Sequence, residues 1–299
     1  VAFEWIGKSG DGETITLRKL KEGDFRFPGY FTPEWHAANQ DLVRTGVILD
    51  VETSGLKFGQ SKIIEIGIRK FFFNRDTGEV LQRLDSYSGF QDPGEPLSAE
   101  VKAITGITDE MLKGRQIDWP AIESMLEGAQ ILIAHNAAFD RPFVDSLSKV
   151  SARKIWGCSL KQIDWTTKGF PSQKLDLLSV FHGFFTDAHR ALNDADALLH
   201  LLSHKDSARG SPYLLELLTE ARKTTCQLMA LSAPFESKDL LKSRGYRWDN
   251  EGRTWWREVA QTDLGLETEW LEEYVYSGTF RGKVIEIPPT EHFKGKSTS

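Results

Sequence analysis

The chain has 299 residues, 40% of them hydrophobic and 27% charged, with a formal net charge of -6 and two cysteines. That suffices for one large domain and a smaller one, and the acidic balance argues against a general nucleic-acid coat without excluding an enzyme that meets nucleotides through bound cations. No run reaches the ~18–20 apolar residues of a membrane span, the start has no signal-like profile, and Cys158 and Cys226 lack metal-type spacing, so a cytoplasmic location, no membrane partner, buried free thiols and no zinc are expected.

Residues 1–43 read as an aromatic-rich extension ("DFRFPGYFTPEWH") with one strand at "TITLRKL", packing against the domain that follows. From residue 44 come three strands, "GVILDVE", "KIIEIGIRKFFF" and "EVLQRLDSYSGF", the last two joined by the turn "NRDTG", which predicts an antiparallel start to a sheet. "SAEVKAITGITDEML" and "WPAIESMLEGA" have helical period, "AQILIAHN" is a buried strand, and helices follow over 140–150, 173–182 and 190–204. This predicts an α/β domain over 44–208, a small α+β unit over 211–277 and a polar tail over 278–299.

Several acids stand where apolar chain should be. Asp50 and Glu52 alternate on the strand "GVILDVE", so both point to one face, and like charges at the end of an apolar strand need neutralising. Pro142 is tolerated in the first turn of a helix, which places Asp140 at a helix start, after the strand "ILIA". "DAHRALNDADALLHLL" is a helix with Leu192, Leu198, Leu199, Leu201 and Leu202 on its apolar face, Asp194 near its start and His189 just before it. Taken singly, each has a plainer reading: a helix-start acid as a cap, a histidine as structural (as for His135, His182, His200 and His204), and Asp196 as an exposed helix acid.

In chain order the pattern becomes specific. "DVETSGL", "HNAAFD" and "HRALNDADA" resemble the three motifs of the DEDDh exonucleases, the DnaQ-like family that includes exonuclease X and RNase T, over about residues 44–205. "EPLSAEVKAITGITDEML" resembles the segment between the first two motifs, with Thr105 where many relatives carry His. The resemblance implies an RNase H-like fold, a mixed five-stranded sheet flanked by helices. It assigns Asp50, Glu52, Asp140 and Asp194 to two divalent ions, Mg²⁺ or Mn²⁺, and His189 to the general base; Thr53, Leu56 and Phe139 become candidate substrate contacts. The chemistry agrees: two such ions activate water and stabilise the leaving oxygen of a phosphodiester, hard oxygen donors suit them, and histidine titrates in the right range for a base. The implied activity is 3′-to-5′ hydrolysis at a single-stranded 3′ end with release of nucleoside monophosphates, DNA favoured over RNA, in repair or proofreading-type processing, by a protein that could form a homodimer. An RNase T-like exoribonuclease and a non-catalytic nucleic-acid-binding scaffold are the alternatives.

In the C-terminal unit, "FESKDLLKSRG" is a helix ended by Gly245 and "LETEWLEEYVY" a second one, with "YRW" and "RTWWREV" a hairpin between them. With "DNEG" as the loop, Trp248 opposes Arg253 and Tyr246 opposes Trp255. Arg247 and Trp256 then share the other face, as candidate stacking and phosphate contacts for nucleic acid. The competing reading makes the aromatics the core of a small domain.

Overall fold

The computed structural model describes residues 14–295; the first 13 residues of the expected extension and the last four of the expected tail lie outside that range. The chain divides into two units, the second being Arg222–His292.

The first unit contains β1 (Arg18–Lys19), α1 (Pro33–Ala38), β2 (Val43–Thr53), β3 (Ile63–Asn74), β4 (Val80–Phe90), α2 (Ala99–Thr105), α3 (Asp109–Leu112), α4 (Trp119–Glu127), β5 (Ile131–Ala134), α5 (Ala137–Asp145), β6 (Trp156–Cys158), α6 (Ser159–Gln162), α7 (Leu175–Phe181), β7 (Phe184–Phe185), α8 (Ala191–Ser203) and α9 (Tyr213–Ala221). Its main sheet has five strands in the order β4-β3-β2-β5-β6. The β2–β3 and β3–β4 pairs are antiparallel, β2–β5 and β5–β6 parallel. This is the mixed sheet expected of an RNase H-like domain.

β2 lies at the centre because its run Val47, Ile48, Leu49 is apolar toward both sides and all three residues are fully buried. On one side Ile48, Phe71, Ile131 and Ile133 meet Leu198, Leu202 and Leu217 from α8 and α9. On the other, Val47, Leu49, Ile66 and Leu132 meet Ile122, Leu126 and Val144 from α4 and α5.

Local chemistry sets the boundaries. Asn74 closes the β3–β4 turn by accepting from the amides of Asp76 and Thr77. The segment "SAEVKAITGITDEML" is two helices, because Gly106 takes a left-handed φ of +67° and Thr108 caps α3. Thr105 is spent locally, donating to Val101 O and accepting from Ile107 N.

The extension joins this unit: Phe25 is part of the α8-side core and Tyr30 donates to Glu79 at 2.8 Å. Its strand shrinks to Arg18–Lys19, paired in parallel with β7. The boundary expected near 211 falls after Ala221, since Leu214, Leu217, Leu218 and Ala221 are buried in the same core.

The second unit contains β8 (Thr225–Ala230), α10 (Lys238–Ser243), β9 (Arg247–Asp249), β10 (Thr254–Ala260), α11 (Leu264–Leu271) and β11 (Lys283–Ile287). Its strands pair antiparallel in the order β11-β8-β10-β9. Part of the expected polar tail is therefore an edge strand, "KVIEI", in which Val284, Ile285 and Ile287 are the apolar residues. Cys226, Leu228, Tyr246, Leu271 and Val275 are among the residues of its core.

The hairpin register differs from the sequence expectation by two residues: Trp255 opposes Trp248 and Trp256 opposes Arg247. Asp249 stays on the strand, accepting from the Glu251 amide, and Arg253 turns the chain with a φ of +46°. An even shift preserves the faces, so Arg247 and Trp256 remain together, opposite the face of Trp248 and Trp255. Among the described residues no helix is long and apolar enough to cross a membrane.

Candidate active site

Three separate pieces of chain meet at the end of β2. Asp50 and Glu52 lie on its α8 side, opposite Gly67 and Glu65 of β3, just before a register irregularity at Glu52/Thr53. Gly67 is required there: a Cβ would stand 2.1 Å from Leu192 N and 2.2 Å from Ala191 C, so the start of α8 rests directly on the strand. That contact brings Asp194 and the preceding His189 to the acids of β2.

His189 has a left-handed φ of +62°, and its amide donates to Asp194 Oδ2 at 2.9 Å. Its Nδ1 is 4.0 Å from Glu52 Oε1, and its side chain is 56% exposed. Ligand-type atoms of Glu52, His189 and Asp194 all lie within 4.8 Å of one another. From α5, the buried Asp140 accepts the Val51 amide at 3.2 Å, between the two acids of β2.

Burial and mutual repulsion dominate the electrostatics. Asp50 is pushed well above the usual carboxylate range by burial and then by Asp140, Asp194, Glu52 and Glu65. Glu52 is raised to about 7 by burial and by Asp194 and Glu65, against the pull of Arg190. Burial also raises Asp140 to about 7 and Asp194 to about 6, each opposed by a backbone amide. Clustered carboxylates that resist ionisation in this way are a site short of positive charge. The donor set, carboxylate oxygens with one imidazole, fits hard divalent cations.

The remaining sequence candidates are dispersed. Thr53 is buried and donates to Gly55 O at 2.6 Å, shaping the turn after β2. Leu56, in that turn, is 84% exposed. Phe139 is half-buried against Phe143, with ring centroids 5.3 Å apart. Arg247 and Trp256 belong to the second unit, where the guanidinium lies 6.0 Å from the indole centroid.

Two expectations are corrected. α5 begins at Ala137, so Pro142 falls inside the helix and beyond its first turn; the carbonyl left without a donor belongs to the exposed Ala138, within reach of water. Asp196 is no exposed helix acid: it takes Arg69 through two bonds of 2.7 and 3.0 Å and Arg83 at 3.4 Å.

The sequence reading missed Glu65 and Arg190. Glu65 is almost fully buried, accepting from Arg190 at 3.1–3.4 Å and from the Ala191 amide at 3.3 Å. The available signal was the pair Glu65 and Gly67 interrupting "IIEIGI" on the face that opposes Asp50 and Glu52.

A mixed sheet whose central strand ends in clustered acids, completed by a helix-borne acid and a histidine in the loop before that helix, is the arrangement of an exonuclease-type domain. The exonuclease family model of RNase T type matches residues 47–202, just over half of the chain, and the chain belongs to that family. The DEDDh resemblance read from its three motifs holds, and this family implies divalent metal ions.

Among curated proteins, the PolC-type DNA polymerase III of Halalkalibacterium halodurans is 34% identical over 167 residues, covering 52% of this chain and 11% of the polymerase. That of Bacillus subtilis is 34% identical over 185 residues, covering 58% and 12%. The chain thus spans only about a ninth of the length of these relatives. The solved structure of the zinc-bound Escherichia coli ExoI–ssDNA complex has the same fold, with a TM-score of 0.50 at 14% identity, covering 83% of this chain and 63% of that one.

Proposed function

We propose that the protein is a 3′-to-5′ exonuclease that removes nucleoside monophosphates from single-stranded DNA ends, in repair or proofreading-type processing. The observation that carries this reading is the convergence of Glu52, His189 and Asp194 within 4.8 Å, beside Asp50 and Asp140, in a cluster where burial and mutual repulsion disfavour the ionised acids. Asp50, Glu52, Asp140 and Asp194 would hold two Mg²⁺ or Mn²⁺ ions. When bound, these supply the positive charge that activates water and stabilises the leaving oxygen.

The chain's own groups do the rest. His189, at the exposed rim, takes the proton of the attacking water through its imidazole. Exposed Leu56 provides an apolar edge for the terminal base, with Thr53 and Phe139 shaping the turn and wall behind it. Trp256 and Arg247 offer a second, stacking contact to the strand. DNA is favoured because the curated relatives matched over this domain are DNA polymerases. The free, buried Cys158 and Cys226 support a reducing, cytoplasmic setting.

The test uses 5′-labelled DNA and RNA of matched sequence with Mg²⁺, Mn²⁺ or EDTA, comparing wild type with Asp50→Ala and His189→Ala. A metal-dependent ladder shortening from the 3′ end, lost in both variants, supports the reading. Faster cleavage of RNA moves the substrate to an RNase T-like one, and tight binding without cleavage makes the protein a scaffold.

A further inference from the structure

Five acids crowd the end of β2, and one of them differs from the rest. Glu65 pairs with Glu52 across β2 and β3, so the two side chains share a face at cross-strand distance. Its carboxylate is already engaged by the Arg190 guanidinium and the Ala191 amide. Among the described residues, no guanidinium hydrogen-bonds the other four acids.

Arg190 directly follows His189, whose left-handed backbone is unfavourable for a residue with a Cβ and persists only where its surroundings enforce it. On the far side of the loop, Asn193 Nδ2 donates to Asp187 O at 3.0 Å. Below it, the Arg190 guanidinium lies 5.4 Å from the Phe90 ring centroid. Gly67 removes the last obstacle between α8 and β3.

We infer that Glu65 and Arg190 form a positioning clamp that holds the loop before α8 in the conformation that turns His189 toward Glu52. This rests on the exonuclease reading above and extends it: Glu65 is an acid of the site that holds a residue of the loop rather than a cation. Arg190 belongs with Glu65 rather than with substrate phosphate, because its guanidinium nitrogens Nε and Nη2 both face the buried carboxylate. A planar fork can make both contacts at once while a lysine can make one, so the clamp calls for arginine at this position.

The test compares wild type, Arg190→Ala, Arg190→Lys and Glu65→Gln in steady-state cleavage and in amide hydrogen exchange of the metal-free, full-length protein. For Arg190→Ala, kcat is expected to fall about 10- to 100-fold, as for loss of groups that orient a metal site's side chains, with KM within about threefold. Exchange is expected to accelerate over 187–195 and nowhere else. Arg190→Lys should recover part of kcat. Glu65→Gln, which keeps the volume and one acceptor, should repeat the local exchange signature if Arg190→Ala fails to fold.

A raised KM with kcat retained assigns Arg190 to substrate phosphate and overturns the clamp. Unchanged exchange over 187–195, or exchange raised equally across the whole domain, overturns it as well. If wild type cleaves nothing, the exonuclease reading fails, while the exchange comparison still decides whether the clamp orders the loop.

Discussion

The carboxylate of Asp140 accepts the backbone amide of Val51 at 3.2 Å. The β2–β5 pairing ends at Ile48 and Ile133, so beyond it the side chain of Asp140 continues what the strand no longer provides. Asp140 thereby does two things: it satisfies a buried amide and adds a charge to the cluster. Asp140→Asn keeps an acceptor and removes the charge, so the metal-free variant should melt at or above the wild-type temperature. Asp140→Ala orphans the amide and should cost about 1–3 kcal/mol. Both should be inactive. Melting curves in EDTA check this; equal losses in the two variants would sink it.

The raised carboxylates give stability a definite pH slope. Glu52 at about 7 and Asp194 at about 6 bind protons more tightly in the folded protein than at the ~4 typical of an unfolded chain. Between pH ~4.5 and ~7 the folded state therefore carries more protons, and stability falls as pH rises through that window. Without metal, Asp50→Asn should be more stable than wild type at pH 8, because it removes a carboxyl that burial and its acidic neighbours hold well above the usual carboxylate range. The gap should narrow at pH 5. Buried histidines titrate alike in both proteins and cancel in the difference. Urea midpoints in EDTA measure it, and a gap that widens toward pH 5 would contradict the electrostatics.

Asp196 should behave as the opposite kind of acid. It holds Arg69 and Arg83, both largely buried, so Asp196→Ala strands two guanidiniums and should destabilise by about 3–5 kcal/mol. The cleavage rate per folded molecule should stay near wild type. Chemical denaturation with an active-fraction correction tests this, and a rate loss without unfolding would place Asp196 in the chemistry.

In the second unit the adjacent tryptophans divide labour. Trp255 packs against the core, so Trp255→Ala should cost on the order of 2–4 kcal/mol. Trp256, under Arg247, should cost less than about 1 kcal/mol when truncated, while weakening binding of single-stranded DNA about 5- to 10-fold, within the range of base–aromatic stacking. Fluorescence anisotropy on the full chain decides; unchanged affinity for Trp256→Ala would remove the second contact.

Asp50, Glu52, Asp140 and Asp194 stood out because each puts an acid where apolar chain or a helix start is expected, but singly each had a plainer reading, and their roles and that of His189 came from the resemblance of three motifs in order. Glu65 breaks its pattern too, but an acid in an alternating strand passes as solvent-facing until β2 and α8 cover it. Asp196 was misread for the same reason, since its partners come from β3 and β4, more than 100 residues earlier. The sheet's antiparallel start follows from short turns, whereas the parallel β5 and β6 depend on crossovers that periodicity does not reveal. The hairpin's register depended on Asp249 staying in the strand, and β11 on an edge whose "KVIEI" pattern is short and charged.

The central place of β2 also bears on biosynthesis. β2, β3 and β4 form a local meander that can collapse as soon as they leave the ribosome, whereas α8 closes over them from more than 100 residues later in the chain. A nascent chain ending at Ala134 carries Asp50 and Glu52 but neither Asp140, His189 nor Asp194. The acidic cluster is thus assembled only once the chain has been made as far as Asp194, so any product that stops earlier lacks part of it.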